Sequence, residues 1–164
     1  MSDGTLQVTG GCQCGAIRYR AELDLASAHL CHCRMCQKAA GNYFMPLASS
    51  LRSKFQVTRG SISTFASSVR VTRGFCSRCG TPLTFGTNDA PDIAITLGSL
   101  DAPALVEPVV QSGMESCMPW FDRLAGLRSE PTSAGGPDGI ARLAEIQATN
   151  RQHPDWETAV WPSG

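Results

Sequence analysis

Seven of the eight cysteines fall into three tight groups: Cys12-Gln13-Cys14, Cys31-His32-Cys33-Arg34-Met35-Cys36 and Cys76-Ser77-Arg78-Cys79. No other feature restricts the fold as strongly. Thiols this close in sequence converge on one point with little loop-closure cost, and a thiolate is a soft ligand that suits zinc. The central CxCxxC is the densest group. Three protein ligands are one short of a closed tetrahedron: catalytic zinc sites keep that position for water or substrate, and structural sites fill it with a fourth residue.

The simplest division joins the two two-thiol groups into a four-cysteine site, Cys12, Cys14, Cys76 and Cys79, and leaves Cys31, Cys33 and Cys36 as a three-cysteine site. Spacing alone also allows the CxCxxC to share ligands with the CxxC. Iron–sulfur ligation is the rival, but neither the plant-type CxxxxC plus CxxC nor the bacterial run of CxxC units occurs. Zinc is expected, two ions per chain. Three side chains compete for the fourth position of the three-cysteine site: His29, His32 and Cys117. His32 lies between two ligands, where its ring points away from a shared metal, and a lone cysteine such as Cys117 usually packs as a small hydrophobe. An open site is therefore expected.

The 164 residues suffice for one well-buried core with something left over, and 42% hydrophobic with 17% charged residues is the balance of a folded chain. The expected organisation is one domain over residues 1–126 and a linker and C-terminal tail over residues 127–164. Formal net charge is zero, with 14 basic and 14 acidic residues scattered. No basic stripe offers a footprint for nucleic acid. Seven thiolates carry more negative charge than two divalent ions offset, and Arg34, Lys38, Arg73 and Arg78 beside the ligands are either the local balance of that excess or ordinary solvated charges. The N-terminus has no basic start or apolar run, and no stretch is long and apolar enough to span a bilayer. Cysteines in such a chain are expected to be metal ligands in a reducing, cytoplasmic setting, with no nucleic-acid or membrane partner.

Along the chain, the glycines around Cys12 and Cys14 permit the sharp bend of a CxC knuckle, and Ala16–Ala21 alternates as a half-buried strand. Residues 22–28 read as a loop. Tyr43–Ala48 reads as a strand that Pro46 marks as an edge. Further strands are expected at 55–60, 62–65, 69–75, 83–85, 93–97 and 109–110, with no long helical period before Phe121. The fold class is mainly β: antiparallel sheets around zinc knuckles. After a Gly/Pro/Ser-rich linker, Asp138 is placed to cap a short helix whose Ile140, Leu143, Ala144 and Gln147 share a face. The final stretch carries Trp156 and Trp161 and reads as a tail that docks on the domain or on a partner.

These residues resemble the glutathione-dependent formaldehyde-activating enzyme family, also called the GFA or CENP-V domain family. The resemblance rests on Gly10-Gly11-Cys12-Gln13-Cys14-Gly15, Cys31 to Lys38, Gly41, Phe44, Arg73 to Gly80, Gly98-Ser99-Leu100-Asp101 and Pro119-Trp120-Phe121. It implies a Mss4-like fold, a structural zinc on Cys12, Cys14, Cys76 and Cys79, and a catalytic zinc on Cys31, Cys33 and Cys36. It also implies carbon–sulfur lyase chemistry, the reversible addition of glutathione or a similar small thiol to formaldehyde or another small aldehyde. Many relatives carry a histidine and a lysine where this chain has Gln111 to Met118, so its substrate choice is expected to differ there. The first candidate proton donor is His32. The competing expectation is a non-catalytic, zinc-stabilised protein-interaction module of the same fold.

Overall fold

The computed structural model describes residues 4–161. Two sheets form. Strands β1 (Thr5–Gly11), β2 (Arg18–Asp24) and β5 (Phe55–Arg59) make an antiparallel three-stranded sheet in the order β1-β2-β5. The larger sheet holds β3 (His29–Cys31), β4 (Met45–Leu51), β6 (Ser63–Ala66), β7 (Val71–Phe75), β8 (Pro82–Thr87), β9 (Asp92–Thr96) and β10 (Val110–Ser112). Its seven strands run in the order β10-β3-β4-β9-β8-β7-β6, all neighbours antiparallel except β10 and β3.

Several local expectations change once the partners are in place. The alternation of β2 continues to Asp24, so part of the expected loop is strand: Glu22 pairs with Gln7 and Leu23 with Leu6, because β1 supplies a ladder that the sequence did not advertise. Pro46 is not on an edge strand, since β4 lies between β3 and β9. It is tolerated because β9 pairs only from Leu47 onward, which leaves Pro46 opposite Leu30 alone. A helix also precedes Phe121. α1 (Arg34–Ala40) starts where the Cys33 side chain accepts from the Cys36 N–H and ends at Gly41, whose φ of 60° is the left-handed stop glycine adopts freely. The C-terminal helix α2 (Gly136–Thr149) begins at Gly135, so Asp138 sits in its first turn rather than at the cap. Among the described residues no helix is long and apolar enough to cross a membrane.

Adjacent residues of the central strands feed two cores, because side chains alternate across a sheet. Ala48 and Ile95 pack with Tyr19, Ala21, Leu23 and Leu83 under the small sheet. Leu47 and Ala94 face the other way and pack with Met45, Cys36 and Phe85 beneath α1. The cysteines divide likewise, with Cys12 and Cys76 in the first cluster and Cys36 in the second.

Buried Arg18 anchors the first hairpin. Its guanidinium donates to both carboxylate oxygens of Asp101, at 2.8 Å for the Nη1 to Oδ1 bond, and to Glu157 at 3.1 Å. The segment around Asp101 also bridges Leu100 to Gly10 and sets the Ser99 hydroxyl 2.7 Å from that of Tyr19, so it ties the two sheets together. Beyond α2, which buries none of its residues, the chain returns to this hairpin. The His153 N–H donates to the Gln13 carbonyl at 2.7 Å, Trp161 Nε1 to the Cys14 carbonyl at 2.6 Å, and Arg59 to the Thr158 carbonyl. Gly15 makes this seat possible: at φ 70° it is left-handed, and a Cβ there would lie 2.3 Å from the His153 ring. Neutralising Asp101 would leave the buried Arg18 charge with only the half-exposed Glu157 to offset it. Asp101→Asn should therefore lower unfolding free energy by about 3 kcal/mol, measured by denaturant melts of the metal-loaded protein at neutral pH.

Candidate metal centres

The first sulfur cluster is built by two hairpin ends. At the β1–β2 turn the Cys12 N–H donates to the Ile17 carbonyl at 3.0 Å and the Gly15 N–H to the Cys12 carbonyl at 2.9 Å. The β7–β8 turn repeats the device: Cys76 N–H bonds the Thr81 carbonyl at 3.0 Å, and Gly80, with φ 77°, returns its N–H to Cys76 at 2.8 Å. Two such knuckles meet with Cys12 and Cys14 sulfurs 3.6 Å apart and Cys14 and Cys76 sulfurs 3.9 Å apart. All four sulfurs lie within 4.8 Å of one another.

The second cluster is local. β3 ends at Cys31, Cys33 caps α1, and Cys36 sits in its first turn, so one strand-to-helix corner brings the three sulfurs within 4.8 Å of one another. Cys31 and Cys33 are 3.5 Å apart. The CxCxxC does not share with the CxxC: the sulfurs form one group of four and one of three.

Of the candidates for the fourth position, neither His29, His32 nor Cys117 joins the three-sulfur group. His29 Nδ1 is held at the Ser27 carbonyl, and Cys117 turns to the Met118 carbonyl. The His32 ring is fully buried, 3.0 Å from the Gln111 side-chain oxygen and edge-on to Phe121 at 4.6 Å, which is a packing position. The Gln111 to Met118 segment lies over the three-sulfur corner. The Ser112 carbonyl accepts from the His32 N–H at 2.8 Å, and the Gln37 amide spans the His32 and Ser116 carbonyls at 2.8 and 2.9 Å. Gly113, at φ 68°, approaches so closely that a Cβ would stand 2.7 Å from the Cys33 nitrogen. Sequence reasoning singled out this segment but not its place on Cys33. The unusual glycine in Gln111-Ser112-Gly113 was the available signal.

Electrostatics differ between the sulfurs. Burial pushes Cys12 and Cys36 up to about 12, with the Arg73 hydrogen bond opposing it at Cys36. Burial is also the largest influence on Cys79 and raises it, but hydrogen bonds from Thr81, the Cys14 N–H and Cys76 together bring that thiol down to about 6. At Cys33, burial is the largest single influence and raises the thiol, but hydrogen bonds from the Cys36 and Met35 N–H groups and the neighbouring Cys31 and Cys36 thiols together turn the net direction down. Each metal-free cluster thus keeps protons that a bound cation would expel. The donor sets fit zinc: all-sulfur, converging, and partly stripped of water. Arg73 strengthens the fit at the second cluster, since its Nη2 lies 3.5 Å from the Cys36 sulfur.

Among solved structures, the chain is similar to the crystal structure of a Rhodobacter sphaeroides protein at 22% identity and a TM-score of 0.54, over 63% of this chain and 99% of that one. At that identity the likeness speaks for the fold alone. The sequence pattern described as glutathione-dependent formaldehyde-activating enzyme matches residues 7–116, a span that contains both sulfur clusters, the Arg18–Asp101 anchor and Gly113 beside Cys33. The chain therefore belongs to the glutathione-dependent formaldehyde-activating enzyme family.

Proposed function

We propose that this chain is a zinc-dependent carbon–sulfur lyase that adds glutathione or a similar small thiol reversibly to formaldehyde or another small aldehyde. Residues 1–126 carry the chemistry, and residues 127–164 are a linker and tail attached to it. Cys12, Cys14, Cys76 and Cys79 hold a structural ion, and Cys31, Cys33 and Cys36 hold a catalytic one. The observation that carries this reading is the convergence of three sulfurs at the β3–α1 corner, with no fourth ligand-type side chain in that group among the described residues.

When bound there, zinc would supply an open Lewis-acidic position that keeps a substrate sulfur as thiolate at neutral pH. The chain's own residues do the rest. β3 and α1 fix the three sulfurs through backbone hydrogen bonds, and Gly113 and Ser112 close over Cys33, which favours proximity and orientation of two small reactants. On the same helix Arg34 and Lys38 line a cleft of about 490 Å³ with Asn42 and Tyr43, and their positive charge suits the carboxylates of a peptide thiol. In the net addition a carbon–sulfur bond forms, the carbonyl π pair moves to oxygen, and the thiol's proton ends on that oxygen. A second reading, a non-catalytic interaction module, is favoured by one feature: α2 leaves Ile140 and Ile146 more than half exposed.

The purified protein should contain about two zinc ions per chain, and a mild chelator should remove the ion at Cys31, Cys33 and Cys36 first because it has fewer protein bonds. Metal analysis giving one ion would sink the two-site reading. Cys76→Ser or Cys12→Ser should unfold the protein or leave it insoluble, whereas Cys33→Ser should stay folded with less zinc, since structural-metal binding energy is folding energy. The reverse ranking in thermal melts would exchange the two roles. With cobalt(II) in place of zinc, glutathione should change the sulfur-to-metal absorption of the wild type but not of Cys36→Ser, and formaldehyde should partly reverse that change. A spectrum indifferent to every small thiol would leave the interaction module as the better account.

A further inference from the structure

Arg73 is a buried cation without an anionic side chain to meet it. It projects from β7 and is 7% exposed, and among the described residues no carboxylate forms an ion pair with it. Its guanidinium instead reaches two sulfurs, Cys36 at 3.5 Å and Met45 at 3.6 Å, and lies over the Phe85 ring at 4.9 Å from the centroid. Its Nε has no hydrogen-bond partner. A thioether is a weak acceptor, and an aromatic face compensates only part of a desolvated charge. A guanidinium stripped of water is costly unless something anionic stands beside it. Here that can only be the sulfur it touches.

This reasoning rests on the reading of the three-sulfur corner as a zinc site. Three thiolates and one divalent cation leave a single negative charge, and an incoming substrate thiolate would add another. The cations nearest in sequence do not touch these sulfurs: Arg34 bonds the Gln37 side chain at 3.2 Å and, like Lys38, lines the outer cleft. We infer that Arg73 is the counter-cation of the three-sulfur metal site, a positioning residue that orients Cys36 and offsets the charge of the metal–sulfur group so that a further anionic sulfur can enter. A zinc site closed by four cysteines gains no further anion, and the four-sulfur cluster has no arginine hydrogen-bonded to its sulfurs among the described residues. Both sites would end at two negative charges, but the four-cysteine site carries them from the start, whereas at the three-cysteine site the second arrives only with the substrate.

The test uses the full chain with Arg73→Met, which keeps an unbranched apolar stem without the charge, and Arg73→Lys, which keeps charge but not the planar fork. Metal retention is titrated against a competing chelator, and glutathione is added to the cobalt(II) forms. Arg73→Met should stay folded, keep the four-cysteine ion, and hold the second ion about 10- to 100-fold more weakly, as expected for loss of a group supporting a ligand. Its glutathione-induced absorption change should need correspondingly more glutathione, and Arg73→Lys should recover part of both losses. If Arg73→Met binds the second ion and glutathione as tightly as the wild type, the inference is overturned. Equal impairment of the Lys and Met variants would also overturn it, because that would mean shape rather than charge. Should the Met variant fail to fold, the Lys variant decides alone: holding the second ion within tenfold of the wild type supports the inference, and losing it as completely as Cys36→Ser does overturns it. A wild type that never takes a second ion instead refutes the zinc-site reading itself, so the two failures are told apart.

Discussion

Both sheets depend on the meeting of two hairpin ends, Cys12 and Cys14 from one and Cys76 and Cys79 from the other. Sulfurs brought within 4.8 Å gain little from one another as packed groups, and burial makes two of them harder to ionise. A divalent cation held by all four would draw them together and add its binding energy to that of folding. The surrounding contacts follow the same line. Ser99, Leu100 and Asp101 leave β9 and reach across to Tyr19, Gly10 and Arg18, so hydrogen bonds and one ion pair reinforce the seam that the knuckles begin.

The two sulfur clusters contribute differently because their sequence separations differ. Cys14 and Cys76 stand 62 residues apart, so linking them removes much freedom from the unfolded chain and fixes how the sheets sit. Cys31, Cys33 and Cys36 belong to one corner, which the β3–β4 pairing and the caps of α1 hold in shape by backbone bonds. Little of the global fold hangs on the second cluster. It lies on the opposite face of the large sheet from the small one, beneath a short helix and the Gln111–Met118 segment.

Cysteine spacing made much of this legible. The knuckles are local sequence events, and the alternation of apolar residues marked most strands. Most of the failures were questions of partnership. Residues 22–24 looked like loop until β1 supplied a ladder, and Pro46 looked like an edge residue because its missing N–H could not be referred to where β9 stops. α1 is only seven residues long and too short to show a helical period, yet Cys33 and Gly41 cap it. The parallel seat of β10 beside β3, and with it the closeness of Gly113 to Cys33, depends on a return from the far end of the domain that no local pattern encodes. His32 shows the same limit: its neighbours in sequence are ligand-type cysteines, but its neighbours in space are Gln111, Phe44 and Phe121.

The strap from His153 to Trp161 has a consequence for the order of events during synthesis. Trp161 bonds the carbonyl of Cys14 across 147 residues, and Glu157 reaches Arg18 across 139. A chain made from its N-terminus presents the first knuckle early and the residues that cover it only after both sheets have been translated. Until then Gly15 faces open solvent and Arg18 has Asp101 alone. The knuckle is therefore made well before the strap that covers its loop from outside.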